Sequence, residues 1–488
     1  MLLGRLRRTR EAVSAVAICV AWSSGACTSS SHETEPGAPA ATAELGSSDG
    51  AEQPDQLPDP APATEPAVQA TPVRAPIEHR RAQRAMMLYT QPSFAAPFRG
   101  KISHGEVFGI VEPPQPTDER CRGEGWARIE TAAFACLEHA SPTDEVARDL
   151  PVLPPGRLVP FYYARMKPKR ADGTNPPAPI WRSRASLRDG RPPIGQLEPA
   201  HVYAFESRSR MRGGAVLEAK RLGVVREADV KPQEPRDFEG RDLLQSPVPP
   251  GMVLAWTVAW PETLVRDEPN DGASVGGRLG YHEPLLLAGA PVERRGTTFH
   301  SLISPRQGWV DAADIRRWIP MDPPAGVEPD ELWLDVELEQ QTLTIMRGDG
   351  PEFVTLVSTG TWKDPTPVGL FRIGTKEAYG DMRSRAGDDD TYHVEAVPWV
   401  QYFHARYALH GAYWHGRYGR RTSHGCINLS PKDAARVFAA TVPRLPPGWI
   451  MIYEHPEDLG TLIRIRKLTA EPPDRRTPPR ERRASDYG

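Results

Sequence analysis

The sequence predicts a mainly β chain with one short helix close to its most chemically loaded stretch. The 53 prolines in 488 residues are about twice the average usage, which favours turns, linkers and short strands over long helices. Apolar runs are short, and the clearest of them alternate with polar residues at the two-residue period of a half-buried strand. Ser430-Pro431-Lys432-Asp433 reads as a helix start with a Ser cap and Pro in the first turn, carrying Ala434, Val437 and Phe438 inward.

Length and charge narrow the classes. At 488 residues the chain is too long for one ordinary domain. Its 60 basic and 63 acidic residues leave no net field that would point to nucleic acid. Arg5, Arg7, Arg8 and Arg10 precede an apolar run from Ala12 to Trp22, too short to span a bilayer, so residues 1–27 are expected to be an export signal. Ser24-Gly25-Ala26-Cys27 resembles a bacterial lipoprotein cleavage and acylation site, with Ser24 where an aliphatic residue is usual. Cys27 is therefore the expected lipidation point, and an ordinary secretory signal is the alternative. Residues 28–78 are rich in Ala, Pro, Glu, Ser and Gly and read as a disordered tether. This predicts a periplasmic protein held at a membrane by a lipid anchor. Cysteine usage fits that compartment: Cys19 leaves with the signal, and Cys121 and Cys136 are either a disulfide or two buried thiols. Cys426 remains free to react.

From Arg81 to Trp318, short apolar runs are separated by Pro, Gly and charged residues, an all-β signature. Met87 to Tyr89, Gly105 to Phe108 and Gly125-Trp126-Ala127-Arg128-Ile129 read as strands of one small barrel, residues 79–150. Trp260 to Arg266, Leu285 to Leu287 and Gly308-Trp309-Val310-Asp311 repeat the theme in residues 246–320. Ile180-Trp181-Arg182 and Leu222 to Val225 make residues 151–245 a third, more decorated copy. All three resemble bacterial Src-homology-3-like domains, which the resemblance makes either cell-wall-peptide binders or spacers.

The Pro-rich break from Pro320 to Pro329 opens a further domain, residues 329–455. Leu332, Leu334, Val336 and Leu338 alternate with Trp333, Asp335 and Glu337, and Thr342 to Ile345 form the expected hairpin partner across Glu339-Gln340-Gln341. Phe353 to Ser358 and Phe371 to Ile373 continue the sheet. Cys426 then stands in a run of compact polar residues, sixteen positions after His410. A thiol becomes a nucleophile when a base or a cation lowers its pKa, and the imidazoles with Arg417, Arg420 and Arg421 are the candidates. Zinc from His410, His415, His424 and Cys426 lacks a paired ligand spacing, so no metal is expected. His404 and His415 read as surface or loop residues, and Asp388 to Asp390 as a solvated turn.

Gln341 to Leu343, Ser358-Thr359-Gly360, Thr366-Pro367-Val368-Gly369, Leu409-His410-Gly411 and Ser423-His424-Gly425-Cys426-Ile427-Asn428 occur in order. Together they resemble the L,D-transpeptidase catalytic domain (YkuD-like), over about a quarter of the chain. Asn428 stands where many members carry Arg. The resemblance implies a β-sandwich-type catalytic domain with a short helix after the Cys loop, Cys426 as nucleophile and His410 as base. Gly411 or Ser423 would orient the imidazole through a carbonyl. Gly425 and Cys426 amides, with His424 beside them, would serve the oxyanion, and Ser423, Asn428, Trp399 and Tyr402 would shape the substrate pocket. It further implies acyl transfer without a cofactor. The donor would be a peptidoglycan tetrapeptide stem cleaved after its diaminopimelate residue and losing its terminal D-Ala, and the acceptor another stem or a lysine of an outer-membrane protein. Hydrolysis of the same acyl-enzyme, or a non-catalytic wall-binding scaffold, are the rival readings. Residues 456–488 read as a basic, Pro-rich tail.

Overall fold

The computed structural model describes residues 75–116, 120–130, 132–384 and 391–468. Cys27 and the export signal, nearly all of the 28–78 tether, Asp388 to Asp390 and the tail from 469 onward lie outside them. No helix among the described residues is long and apolar enough to cross a membrane.

Three β-rich regions, each with its own core, precede the C-terminal part of the chain, which carries Cys426. The first closes around Leu88, Ile102, Phe108 and Ala127, the second around Ala164, Phe205, Leu217 and Val225, and the third around Ala255, Val265, Leu302 and Val310. A disulfide joins Cys121 to Cys136 in the first region. Each region finishes on the same local unit, a strand, a three-residue 3-10 turn and a short strand. In the first these are Ala133–Cys136, Leu137–His139 and Ala140–Pro142. In the second they are Gly223–Arg226, Glu227–Asp229 and Val230–Gln233. In the third they are Gly308–Asp311, Ala312–Asp314 and Ile315–Arg317. The counterpart of Gly308–Asp311 in the first region is therefore Ala133–Cys136. The Gly125-Trp126 pair that sequence matched to it lies one strand earlier, because a buried Trp suits any inward position of a small barrel.

The C-terminal part is built from strands β1 (Leu332–Glu337), β2 (Thr342–Arg347), β3 (Gly350–Leu356), β4 (Gly369–Arg372), β5 (Thr375–Arg383), β6 (His393–His404), β7 (Tyr407–Gly411) and β8 (Ile427–Leu429). Helix α1 (Pro431–Ala440), β9 (Trp449–Tyr453) and β10 (Leu462–Arg466) complete it. One sheet runs Arg241–Asp242, β3, β2, β1, β10, β4, with β1 and β10 parallel. The other contains β5 to β9. It continues into the neighbouring regions: β9 pairs with Phe98–Ile102 (Gly100 opposite Ile452), and β6 pairs in parallel with His201–Phe205 (His201 opposite His393). Leu334, Val336, Leu409 and Ile427 meet Ala434, Val437 and Phe438 of α1 in one core. The Ser430 hydroxyl accepts the Asp433 N–H at 3.1 Å and caps the helix.

Two expectations fail here for one reason. The outward residues of β1 are not solvated: Trp333, Asp335 and Glu337 are 0, 5 and 1 % exposed. The expected tail from 456 supplies β10, the parallel partner of β1, so the domain extends beyond 455. Arg464 and Arg466 of β10 both bond Asp335, and Arg466 also donates to the Ile319 carbonyl of the segment crossing this face. Alternation reports which residues share a face, not whether both faces are covered.

Candidate active site

β7 and β8 run parallel with Leu409 opposite Ile427 and His410 opposite Asn428. Side chains alternate along a strand. Leu409 and Ile427 enter the core, and the two-residue period puts His410, Asn428 and Cys426 on the other face. That face is the floor of a cleft of about 1030 Å³, which Cys426, His410, Ser423, His424, Asn428 and Tyr402 all line. Trp399 does not line it. It is buried in the core, where Gly411 makes room for its ring: a Cβ on Gly411 would lie 3.1 Å from Trp399 Cε3.

The nucleophile loop is held by its own polar residues. Ser423 Oγ donates to the Cys426 carbonyl at 2.5 Å and accepts the Gly425 N–H at 3.1 Å. Thr366 Oγ1 donates to the Gly425 carbonyl at 2.8 Å and accepts the Gly360 N–H at 2.9 Å. Ser358 and Asn428 exchange two backbone bonds of 2.9 Å, and Thr359 O accepts the Ser423 N–H. Gln341, at φ 54°, locks Thr359 from below, taking its N–H and donating to its hydroxyl. Gly425 sits at φ 107°, and a Cβ there would lie 2.3 Å from the Tyr407 ring. Because its N–H is already given to Ser423, Gly425 is not the free oxyanion donor that the motif suggested.

Electrostatics place a neutral pair at rest. Burial lowers the His410 pKa to about 4 against a weaker pull from the Gly411 carbonyl, and His410 Nδ1 has no hydrogen-bond partner. Burial raises the Cys426 thiol, opposed by the Ala408 backbone and by Arg406, whose carbonyl lies 3.8 Å from Sγ. The cation that acts on the thiol is thus Arg406. Arg420 and Arg421 instead bond the carbonyls of Val258 and Leu338. Burial, with Glu377 and Cys426 nearby, also raises Tyr402. His424 is exposed and stacks on Tyr392 at 5.1 Å.

His415, read from sequence as a loop residue, belongs to the site. Its Nδ1 accepts the Arg417 N–H at 3.1 Å, so its proton resides on Nε2, which meets the Asn428 amide at 2.8 Å. An N–H needs an acceptor there, which places the amide oxygen of Asn428 at this contact. Its NH2 then occupies the buried position where a carbonyl would be stranded without a partner. His404 stacks between Phe371 and Tyr407 outside the cleft lining. Among the described residues His201, His393 and Glu395 are the cluster with metal-ligating atoms in reach of one another. The two rings stack at 3.9 Å, however, so their lone pairs run side by side rather than converging.

Comparison with known proteins agrees with the region of the site. An L,D-transpeptidase catalytic domain model (YkuD) matches residues 331–464. Similar solved structures include the catalytic domain of an Enterococcus faecium L,D-transpeptidase, at 21% identity, covering 28% of this chain and 98% of that one, TM-score 0.22. Another is L,D-transpeptidase 3 from Mycobacterium tuberculosis with a faropenem-derived adduct, at 18% identity, covering 38% and 90%, TM-score 0.23. In the longer transpeptidase chains that lead the structural matches, the alignment spans about half of the matched chain, 49% and 50%. The comparison with curated proteins gives no match. The residues that this L,D-transpeptidase catalytic domain model matches, 331–464, hold both Cys426 and His410.

Proposed function

We propose that the protein is a periplasmic, lipid-anchored L,D-transpeptidase that forms a Cys426 thioester with a peptidoglycan stem peptide and passes the acyl group to an amine. The observation that carries this reading is the placement of Cys426 and His410 on one face of paired strands, in one cleft, inside the family match. The Cys121–Cys136 disulfide supports an oxidising compartment. Cys27 acylation rests on the sequence.

Neutral His410 takes the thiol proton as Sγ attacks the carbonyl of the residue before the terminal D-Ala. The imidazolium gives that proton to the departing D-Ala nitrogen as the C–N bond breaks, leaving the thioester. The acceptor amine then attacks, His410 takes a proton from it, and collapse returns the proton to Sγ. A trans peptide points N–H and C=O in opposite directions. With the Gly425 carbonyl turned to Thr366, the Cys426 N–H faces away from that contact and is our donor for the oxyanion. Acceptors consistent with this chemistry are a second stem or a lysine of an outer-membrane protein, and no cofactor enters the cycle.

The test is incubation of the full chain with a disaccharide-tetrapeptide, followed by mass spectrometry beside Cys426→Ala. Cys426-dependent loss of D-Ala with a cross-linked dimer is the expected result. Tripeptide without dimer would make the enzyme a hydrolase. Unchanged substrate with both proteins, the thiol kept reduced, would leave a wall-binding scaffold.

A further inference from the structure

The cleft has a second wall that lies outside the family match. Residues of the middle β-rich region, from Arg165 to Lys169 with Asn175, Ala200 and Val202, line the same cavity as Cys426 and His410. This region is docked firmly. His201 and Val202 pair with His393 and Val394, Tyr163 donates to the Ala396 carbonyl at 2.7 Å, and its ring stacks on Tyr413 at 3.5 Å. In the strand Tyr162–Met166, Ala164 and Met166 point into the region's own core, and Tyr163 points to the catalytic part. Arg165 continues the Tyr163 face of the strand, and Lys167 and Lys169 follow in the segment just past its end at Met166. All three are exposed and line the cleft, with the Lys167 ammonium also donating to the Ala228 carbonyl. Arg383 and Arg406 line it from the catalytic side, and its acidic lining residues are Asp364 and Asp381. The cavity is thus strongly cationic in a chain whose net charge is -3.

We propose that Arg165, Lys167 and Lys169 form a carboxylate-reading wall that selects the acyl donor by its negative charges. The identity of the donor rests on the transpeptidase reading. A stem peptide ending in D-Ala and carrying diaminopimelate presents several carboxylates along one extended backbone. Three cations within five residues, at the end of the strand and just beyond it, present complementary charge to them. Each pair is solvent-exposed and weak by itself, and the set acts through its sum and through the focusing of field in a cleft. Specificity of this kind is salt-sensitive, since the screening length is about 8 Å at 0.15 M ionic strength.

The test measures binding separately from chemistry. Titration calorimetry of full-length Cys426→Ala protein is run with a tetrapeptide stem and with the same stem having its side-chain carboxylates amidated. The measurement is repeated in the added background of Arg165→Gln/Lys167→Gln/Lys169→Gln. The expected result is on the order of ten-fold weaker binding of the free-acid stem in the triple variant at low salt. The amidated stem should change less than two-fold, and the difference should shrink at high salt. Equal ratios for the two stems, or no binding of the free-acid stem at millimolar concentration, would overturn the wall. Absence of Cys426-dependent D-Ala release by the wild type would overturn the transpeptidase reading instead, with the binding ratio still deciding the wall.

Discussion

On one side of the cleft, the Cys426 loop is fixed by bonds among its own motif residues: Ser423 to Gly425 and Cys426, Thr366 to Gly425, Gln341 to Thr359. Nearly every polar group there is buried and partnered. Across from it, Arg165, Lys167 and Lys169 are exposed, at the end of a strand whose other face is a separate core and in the segment that follows it. The first wall is rigid because losing any one bond strands a buried partner. The second tolerates replacement and works by summed charge. Chemistry needs the former, where reacting atoms must be held closely, and recognition of a flexible peptide is served by the latter.

Mutation should separate the walls, beginning with the largest effect. Gly425→Ala forces a side chain into a positive-φ position and onto the Tyr407 ring, costing roughly 1–3 kcal/mol of strain. Turnover should fall at least about 100-fold while circular dichroism stays unchanged, because displacement of the nucleophile by about 1 Å is enough. A mild effect would mean that the loop is not rigid.

Acid should act on the buried side before the exposed one. His410 and His415 are held near pKa 4 and 3, below the ordinary value of 6.5, so the unfolded chain binds more protons between those limits. The contribution of these two imidazoles is therefore complete above about pH 6.5 and declines as pH falls toward 4, by about 3 kcal/mol per histidine. It runs against the opposite slope of Glu377, Asp433 and Asp314, whose pKa burial raises to about 7, 6 and 6. Urea midpoints across pH 4 to 8 for the wild type beside His415→Gln check this, and an identical pH slope in the two would contradict burial of a neutral imidazole there. Thr366→Val keeps the shape but strands the Gly425 carbonyl and Gly360 N–H, for a loss of about 1–3 kcal/mol read by urea unfolding. Smallest is Arg406→Gln. Losing one exposed cation beside a thiol whose pKa is already raised should slow iodoacetamide alkylation about two-fold at pH 8. In the wild type the alkylation rate should keep climbing above pH 9. A plateau already reached at pH 7 would indicate a resting thiolate–imidazolium pair and sink the neutral-pair assignment.

Much of the first wall could be read from the chain because its residues bond one another within short motifs. Ser358-Thr359-Gly360, Thr366 and the Ser423 to Asn428 run each carry a visible share of one hydrogen-bond network. The core of β1 and β2 and the cap of α1 were legible for a similar reason, as local periodicity and local capping. What sequence missed is set by distant partners. Trp399 and Tyr402 read alike, as core by default or as a groove floor, and only the space left by Gly411 puts Trp399 in the core while Tyr402 lines the cleft. His415 looks like a loop residue until β8 brings Asn428 to it, and Arg406 lies twenty positions from the thiol it influences. β10 is hidden in a basic stretch because its arginines face Asp335 rather than water. The second wall gives no local signal, since it joins residues more than 200 positions apart.

The pairing of β9 with Phe98–Ile102 and of β6 with His201–Phe205 has a practical consequence for anyone trimming this protein. A fragment cut to the catalytic part would keep its chemistry-bearing residues but expose bare backbone along two strands that are covered in the whole chain. Such edges recruit other strands, so the fragment is expected to aggregate. An inactive short version would then report on solubility, not on catalysis.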